Sequence, residues 1–151
     1  MPVQEAGAAA LSDKPFAESC VENRAPILAV LREVFADRSH VLEIGSGTGQ
    51  HAVYFAPELP HLTWQTADVP QHHAGIRLWL AEAALPNVLA PLELDVNRTE
   101  WHSGRYDAVF SANTLHIMSW PEVELFFAGI GTVLESGGVL AIYGPFNING
   151  A

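Results

Sequence analysis

The chain has 151 residues, of which 49% are hydrophobic and 16% are charged, and its formal net charge is −10. This length suits one well-packed domain and is too short for two. Because 7 basic side chains face 17 acidic ones, the chain lacks the positive surface that attracts nucleic acids and anionic membranes, and we expect neither as a partner. No apolar run reaches the roughly 18 residues of a membrane-spanning helix. The N-terminal stretch also lacks the basic start and apolar centre of a signal peptide, so a cytoplasmic protein is expected.

Short aliphatic or β-branched segments alternate with longer amphipathic ones, which predicts an α/β domain with a doubly wound, mostly parallel sheet and helices on both faces. The predicted strands are 40–45, 62–68, 87–95, 106–113 and 137–144. The predicted helices are 25–35, 49–59, 71–85 and 121–135. The last helix has Pro121 near its start and Gly137–Gly138 after its end, which is the usual asymmetry of helix ends. Residues 1–14 are expected to form a flexible N-terminus, and residues 15–151 the single domain.

The stretch LEIGSGTGQHA, residues 42–52, places alternating glycines between a predicted strand and a predicted helix. Open α/β sheets bind nucleotides and related cofactors at such turns. A dinucleotide fingerprint needs its third glycine three positions after the second, and Gln50 occupies that position. The observed pattern is E-x-G-x-G-x-G, from Glu43 to Gly49. A tight turn without a ligand also favours glycine, so the loop alone leaves both alternatives open.

Asp68 and Asp95 end the next two predicted strands. A carboxylate about 20 residues beyond the glycine loop can accept hydrogen bonds from both hydroxyls of a ribose, and we expect this role for Asp68. The alternative is an N-cap for the helical segment that starts at Pro70. For Asp95 the alternative to a ligand contact is a turn aspartate.

Several of these segments together resemble the class I S-adenosylmethionine-dependent methyltransferase superfamily. They are Leu42–Gly49, Asp68, Asp95, YDAVFSANTLHIMSW and LESGGVLAIYGPF. The segments ENRAPILAVL, VLEIGSGTGQHAVYFA, NTLHIMSW and YGPFN also resemble a narrower family, that of methyltransferase-like protein 26 (domain of unknown function 938).

The resemblance implies a Rossmann-like sheet, S-adenosyl-L-methionine as cofactor, and residues 15–151 as the methyltransferase-like domain that binds it. The superfamily sheet has seven strands, and this sequence is expected to lack the last two. An exposed edge beside the fifth strand invites pairing, which favours a homodimer.

The resemblance also assigns site residues. Those implied to hold the cofactor are Glu43, Gly45, Ser46, Gly47, Gly49, Asp68, Asp95, Val96 and Asn113. Within this set, Asp95 meets the adenine amino group and Val96 packs on the ring.

The acceptor side is expected after the fourth and fifth strands. Asn113 and His116 are the candidate catalytic residues, because a carboxamide can orient an acceptor and an imidazole can take its proton. A structural histidine is the alternative for His116. Tyr143, Phe146 and Asn147 are expected to line the acceptor pocket.

Other polar residues carry weaker hypotheses. His51 is a candidate contact of the cofactor carboxylate, with a surface role as the alternative. Arg24 is a candidate carboxylate ligand or an ordinary residue near a helix start. No metal is predicted, because the adjacent His72 and His73 do not face one another on a helix and lack partners at ligand spacing. Cys20 is the single cysteine and is expected to be a buried or idle thiol rather than a nucleophile.

Three functions stay open at this point. The first is an S-adenosylmethionine-dependent methyltransferase acting on a small-molecule acceptor, and the acidic balance favours a neutral or cationic one. The second is a non-catalytic pseudoenzyme that binds S-adenosylmethionine or S-adenosylhomocysteine. The third is an NAD-dependent oxidoreductase, which Gln50 and the lack of a recognisable hydride-transfer acid disfavour.

Overall fold

The computed structural model describes residues 14–98, 100–101, 104–112 and 118–144. The helices and strands, in chain order, are α1 (Glu18–Val34), β1 (His40–Ile44), α2 (Gln50–Phe55), β2 (Thr63–Asp68), α3 (His73–Ala83), β3 (Val88–Glu93), β4 (Tyr106–Ala112), α4 (Trp120–Val133) and β5 (Leu134–Tyr143). Short 3₁₀ turns follow α2 and precede α3. No helix within the described ranges is both long and apolar enough to cross a bilayer.

The strands of the described part form one parallel sheet in the order β3-β2-β1-β4-β5. Strand order reverses between β1 and β4, since the chain builds outward first on one side of β1 and then on the other. This arrangement confirms the predicted doubly wound, Rossmann-like α/β fold. Ligands of such sheets bind beyond the carboxyl ends of the strands near the reversal. The glycine loop leaves β1 at that place.

The three central strands, β2, β1 and β4, are buried on both faces of the sheet, as expected of parallel strands covered by helices. Neighbouring residues of β1 show this, because Val41 and Leu42 are each 0% exposed and belong to different apolar clusters. The first cluster packs α1 and α2 on one face, with Phe55 among its members. The second packs α4 on the other face through Phe126 and Ile130. These two cores hold the carboxyl ends of the strands in fixed positions.

Helix α1 starts well before the predicted residue 25 and runs through Pro26. A proline inside a helix removes one backbone hydrogen bond and crowds the preceding turn. Burial compensates here, because Ile27, Leu28 and Leu31 anchor the following turns in the core. The extension places the first turns of α1 beside the glycine loop, which the apolar periodicity alone did not predict.

The junction between α4 and β5 also differs from the prediction. The helix ends at Val133 instead of residue 135, and β5 begins immediately, at Leu134 instead of Gly137. The two glycines lie within a register shift of β5 against β4, where Gly137 has a φ of 81°. They allow an irregular strand start rather than a helix end.

Gly49 is expected to tolerate no side chain, because its φ is 94° and an added Cβ would lie 3.2 Å from Ile76 Cα and 3.3 Å from Trp79 Cβ. We predict that Gly49→Ala lowers the free energy of unfolding by about 1–3 kcal/mol. Gly131→Ala is the matched control, because that position in α4 has nothing within 4 Å of an added Cβ. The control should be neutral or gain up to about 1 kcal/mol. Urea unfolding measures both, and equal losses in the two variants would contradict the assigned role of Gly49.

Candidate functional site

The glycine loop is held in place by hydrogen bonds to the end of β2. The backbone N–H groups of Gly45 and Ser46 both donate to the Ala67 carbonyl, at 3.0 and 2.9 Å. Gly45, Gly47 and Gly49 have φ angles of 76°, 60° and 94°, which favour glycine at each position. The alternating glycines therefore follow from the backbone path of the loop.

Asp68 joins this loop to the carboxyl end of β2. Its Oδ2 accepts a hydrogen bond of 2.7 Å from the Gly47 N–H, and its Oδ1 accepts one of 2.7 Å from the Val69 N–H. His72 Nδ1 lies 2.9 Å from Oδ1, and the Asp68 side chain is 10% exposed. The helical turn at Pro70 has no side-chain cap, so the alternative N-cap role of Asp68 is wrong. Because a carboxylate offers about four lone-pair sites, Asp68 retains capacity for a ligand hydroxyl.

The hydrogen bonds of the loop weigh against a pyrophosphate ligand. A dinucleotide loop presents free backbone N–H groups to the phosphates. Here the successive N–H groups of Gly45, Ser46 and Gly47 donate to Ala67 and Asp68 instead. The carboxylate also places negative charge beside the loop.

Two cavities meet at Asp68. One, of about 240 Å³, lies at the ends of β2 and β3, and the other, of about 270 Å³, lies between the glycine loop and the start of α1. Both are lined by Gly45, Asp68 and His72, so they are adjoining halves of one cleft. We call them the strand-side cavity and the loop-side cavity.

The strand-side cavity contains both residues that the resemblance assigned to adenine. Asp95 and Val96 line it together with Leu94 and Met118. Asp95 also forms a turn, because its Oδ1 accepts a 2.9 Å hydrogen bond from the Asn97 N–H. The turn and the cavity wall are thus compatible roles for the same side chain.

The start of α1 covers the loop-side cavity. The Ala17 N–H donates to Gln50 Oε1 at 2.6 Å, and Gln50 Nε2 donates to the Ala17 carbonyl at 3.4 Å. Cys20 and Thr48 both line the cavity. Burial raises the pKa of the Cys20 thiol, which disfavours the nucleophilic thiolate. The apolar periodicity of the sequence did not predict that residues before α1 cover the loop, because this cover depends on the contact between Ala17 and Gln50.

Glu43 and Ser46 support the loop from the protein interior. Glu43 is 1% exposed, and its Oε1 accepts hydrogen bonds of 3.0 Å from both Trp64 Nε1 and Ser46 Oγ. Ser46 Oγ in turn accepts one of 3.0 Å from the Ala67 N–H. Burial raises the pKa of Glu43 to about 7, against the opposing effect of the hydrogen bonds from Trp64 and Ser46. Direct contact of either residue with a cofactor stays a prediction.

The predicted acceptor residues lie mostly outside the described residues. This holds for Asn113, His116, Phe146 and Asn147. Tyr143 is described and pairs in register with Ala112, which lines the loop-side cavity. Tyr143 itself lines a separate apolar cavity of about 230 Å³ between α1 and β5, so the structure does not bring it into the cleft at Asp68.

Arg24, His72 and His73, the remaining polar residues considered as ligands, contact other parts of the protein. The Arg24 guanidinium lies 4.4 Å from the centre of the Tyr54 ring. His73 Nε2 lies 2.8 Å from the Asp68 carbonyl oxygen, and His72 sits on the rim of the cleft. In the described ranges, no three His, Cys, Asp or Glu side chains converge on a possible metal position.

Comparisons with known proteins match this chain to methyltransferases. The sequence profile of the family described as "Protein of unknown function (DUF938)" matches residues 14–151. Tuberculostearic acid methyltransferase UfaA1 of Mycobacterium tuberculosis (strain ATCC 25618 / H37Rv) is 29% identical over 104 residues, which cover 69% of this chain and 23% of that protein.

Two solved structures share the fold. An O-methyltransferase family protein from Burkholderia thailandensis is 23% identical, with a TM-score of 0.69 over 83% of this chain and 39% of that one. The S-adenosylmethionine-dependent methyltransferase SibL, in its apo form, is 26% identical, with a TM-score of 0.72 over 81% of this chain and 35% of that one. The chain thus spans between 23% and 39% of the length of these relatives. The matches confirm the resemblance that the sequence indicated.

The buried Glu43 predicts a pH-dependent stability. Because its pKa rises from the usual 4.5 to about 7, the folded chain retains a proton that the unfolded chain releases between these values. The free energy of unfolding should therefore fall as pH rises through this window, by about 3 kcal/mol at most. Glu43→Gln keeps the side-chain volume and the acceptor oxygen, so it should remove this contribution.

Urea unfolding of both proteins from about pH 5 to about pH 8 isolates the contribution of Glu43. The variant should gain stability relative to the parent as the pH rises. Parallel profiles across the range would show that Glu43 titrates normally.

Proposed function

This chain belongs to the family described as protein of unknown function (DUF938), and from that premise we propose that it is an S-adenosylmethionine-dependent methyltransferase acting on a small-molecule acceptor. The observation that carries the proposal is the position of Asp68. Its buried carboxylate lies where the strand-side and loop-side cavities meet, at the carboxyl end of β2. A ribose bound there through its hydroxyls would place an adenine in one cavity and an amino-acid chain in the other.

The lining of each cavity suits the part of the cofactor assigned to it. Leu94, Val96 and Met118 offer apolar surface to a purine ring, while Asp95 offers an acceptor for its amino group. The loop-side cavity is bounded by the glycine loop, which lets a ligand approach the backbone closely. The similarity to SibL, an S-adenosylmethionine-dependent methyltransferase, and to the methyltransferase UfaA1 supports S-adenosylmethionine as the cofactor of this chain.

S-adenosylmethionine supplies an electrophilic methyl group: the lone pair of the acceptor forms a bond to this carbon while the carbon–sulfur bond breaks and leaves a neutral thioether. The protein contributes position and, for a poor nucleophile, a base. We assign orientation of the acceptor to Asn113 and acceptance of its proton to His116. Phe146 and Asn147 are proposed to line the acceptor pocket. The net charge of −10 favours a neutral or cationic acceptor.

A non-catalytic protein that binds S-adenosylmethionine or S-adenosylhomocysteine is the alternative, since the same cleft serves both functions. A methyl-transfer assay across panels of nitrogen, oxygen and sulfur acceptors separates the two. An oxidoreductase is disfavoured, because the loop donates its N–H groups to Ala67 and Asp68 rather than leaving them for a pyrophosphate. The cytoplasmic location expected from the sequence stays a prediction.

We also propose a homodimer formed through the edge of the sheet at β5. Among the described strands, β5 pairs only with β4, and an open strand edge favours pairing with another chain. Light scattering should give about twice the mass of one chain. A monomer at every concentration would contradict this assembly and leave the cofactor site unaffected.

The cofactor site predicts that Asp68→Asn weakens binding of S-adenosylhomocysteine by about 10- to 100-fold, because a neutral amide replaces a charged acceptor. Asp107→Asn is the matched control. The Asp107 carboxylate accepts hydrogen bonds of 2.9 Å from the Ser39 and His40 N–H groups at the opposite, amino end of β1. It should leave the affinity unchanged.

Calorimetry with S-adenosylhomocysteine and with NAD measures these effects, and thermal melts confirm that each variant is folded. We expect the parent to bind S-adenosylhomocysteine and not NAD. If it fails to bind S-adenosylhomocysteine at millimolar concentration, both the enzyme and the pseudoenzyme are excluded. Equal weakening by the two substitutions would exclude Asp68 as the ribose acceptor.

A further inference from the structure

His51 is a buried histidine on the wall of the loop-side cavity that the proposed function does not yet use. It follows Gln50 at the start of α2, is 5% exposed and contributes to the lining of the cavity. Its ring stacks on Phe55, with ring centres 5.1 Å apart and planes at 14°, and meets the edge of Phe110 at 6.1 Å. These aromatic contacts fix the plane of the imidazole.

Asn23, in the second turn of α1, determines which nitrogen of His51 carries the proton. His51 Nε2 lies 2.9 Å from Asn23 Oδ1. Because Asn23 presents its amide oxygen, which only accepts hydrogen bonds, the geometry assigns the proton to Nε2 and leaves a lone pair on Nδ1. Burial lowers the pKa of His51 to about 4, which keeps the ring neutral at physiological pH.

The lone pair on Nδ1 remains available to a ligand. Within the described part of the chain, Nδ1 has no hydrogen-bond partner, and it is not among the side-chain nitrogens that are buried without one. Nδ1 is therefore accessible, and the loop-side cavity is the space that His51 lines. An acceptor atom on a fixed ring is well placed to select a hydrogen-bond donor.

We propose that His51 Nδ1 accepts a hydrogen bond from the α-ammonium group at the amino-acid end of S-adenosylmethionine, with Asn23 as the residue that positions the ring. The inference rests on the proposed cofactor, because a ribose at Asp68 and an adenine beside Val96 leave the loop-side cavity for the amino-acid end. A neutral nitrogen lone pair attracts an ammonium and repels a carboxylate. This assignment replaces the carboxylate contact that the sequence suggested for His51.

Three adenosine ligands separate this role from a general effect on the cavity. S-adenosylhomocysteine carries both the amine and the carboxylate, decarboxylated S-adenosylmethionine keeps the amine alone, and methylthioadenosine lacks both. His51→Phe retains a flat ring that can stack on Phe55 and removes the acceptor nitrogen. This substitution should weaken the binding of S-adenosylhomocysteine and decarboxylated S-adenosylmethionine by about tenfold or more. The affinity for methylthioadenosine should not change.

Asn23→Leu preserves the side-chain size and removes the oxygen that holds the tautomer. This substitution should weaken the binding of the same two ligands to a smaller extent and leave the affinity for methylthioadenosine unchanged. Equal weakening of all three ligands would show that His51 only shapes the cavity. Unchanged binding of decarboxylated S-adenosylmethionine by His51→Phe would also overturn the proposal.

Nitrogen NMR of the unliganded parent protein tests the tautomer without any variant. We expect the shift of an unprotonated Nδ1 and a protonated Nε2 on His51, and a protonated Nδ1 would contradict the assignment. If the parent binds methylthioadenosine and S-adenosylhomocysteine and His51→Phe changes neither affinity, the ammonium contact is excluded and the proposed cofactor is supported. If the parent binds none of the three ligands, the proposed cofactor is excluded together with the contact.

Discussion

The hydrogen bond from the Gly47 N–H to the Asp68 carboxylate is the constraint on which the site depends. It joins the loop after β1 to the end of β2, across a distance of 2.7 Å. Because Gly45 and Ser46 donate to the neighbouring Ala67 carbonyl, the whole loop is fixed against one strand. The result is a cleft with the Asp68 carboxylate between two cavities, at the point where strand order reverses.

The loop is supported by hydrogen bonds on its core side and on the side of α1. On the core side, Glu43 connects Trp64 to Ser46, which places an ionisable group in a fully buried position. On the side of α1, Gln50 is hydrogen-bonded to Ala17, and His51 to Asn23. The polar network therefore continues from the core, through the loop, to the first turns of α1. Burial of these side chains is tolerated because each of them makes at least one hydrogen bond.

The sequence predicted the strands and the glycine loop because the signals for both lie within short stretches of the chain. Short apolar runs indicate buried strands, and the spacing of Gly45, Gly47 and Gly49 indicates a tight turn after the first of them. Asp68 follows at the end of the next strand. The cover formed by α1 was not predictable in the same way, since it depends on a contact between Ala17 and Gln50 that is distant in the sequence. Periodicity also placed the start of α1 too late, because Pro26 resembles a helix boundary and burial overrides it here. The tautomer of His51 is likewise a property of packing, and only its partner Asn23 reveals it.

We propose that one adenosine cofactor spans both cavities and is centred on Asp68. An NMR titration of backbone amides with S-adenosylhomocysteine distinguishes this binding mode from others. We expect the largest shift changes to fall together at Gly47, at Val69 beside Asp68, and at Val96, with little change at the amino end of β1. Changes confined to one cavity, or spread over the apolar surface between α1 and β5, would contradict it.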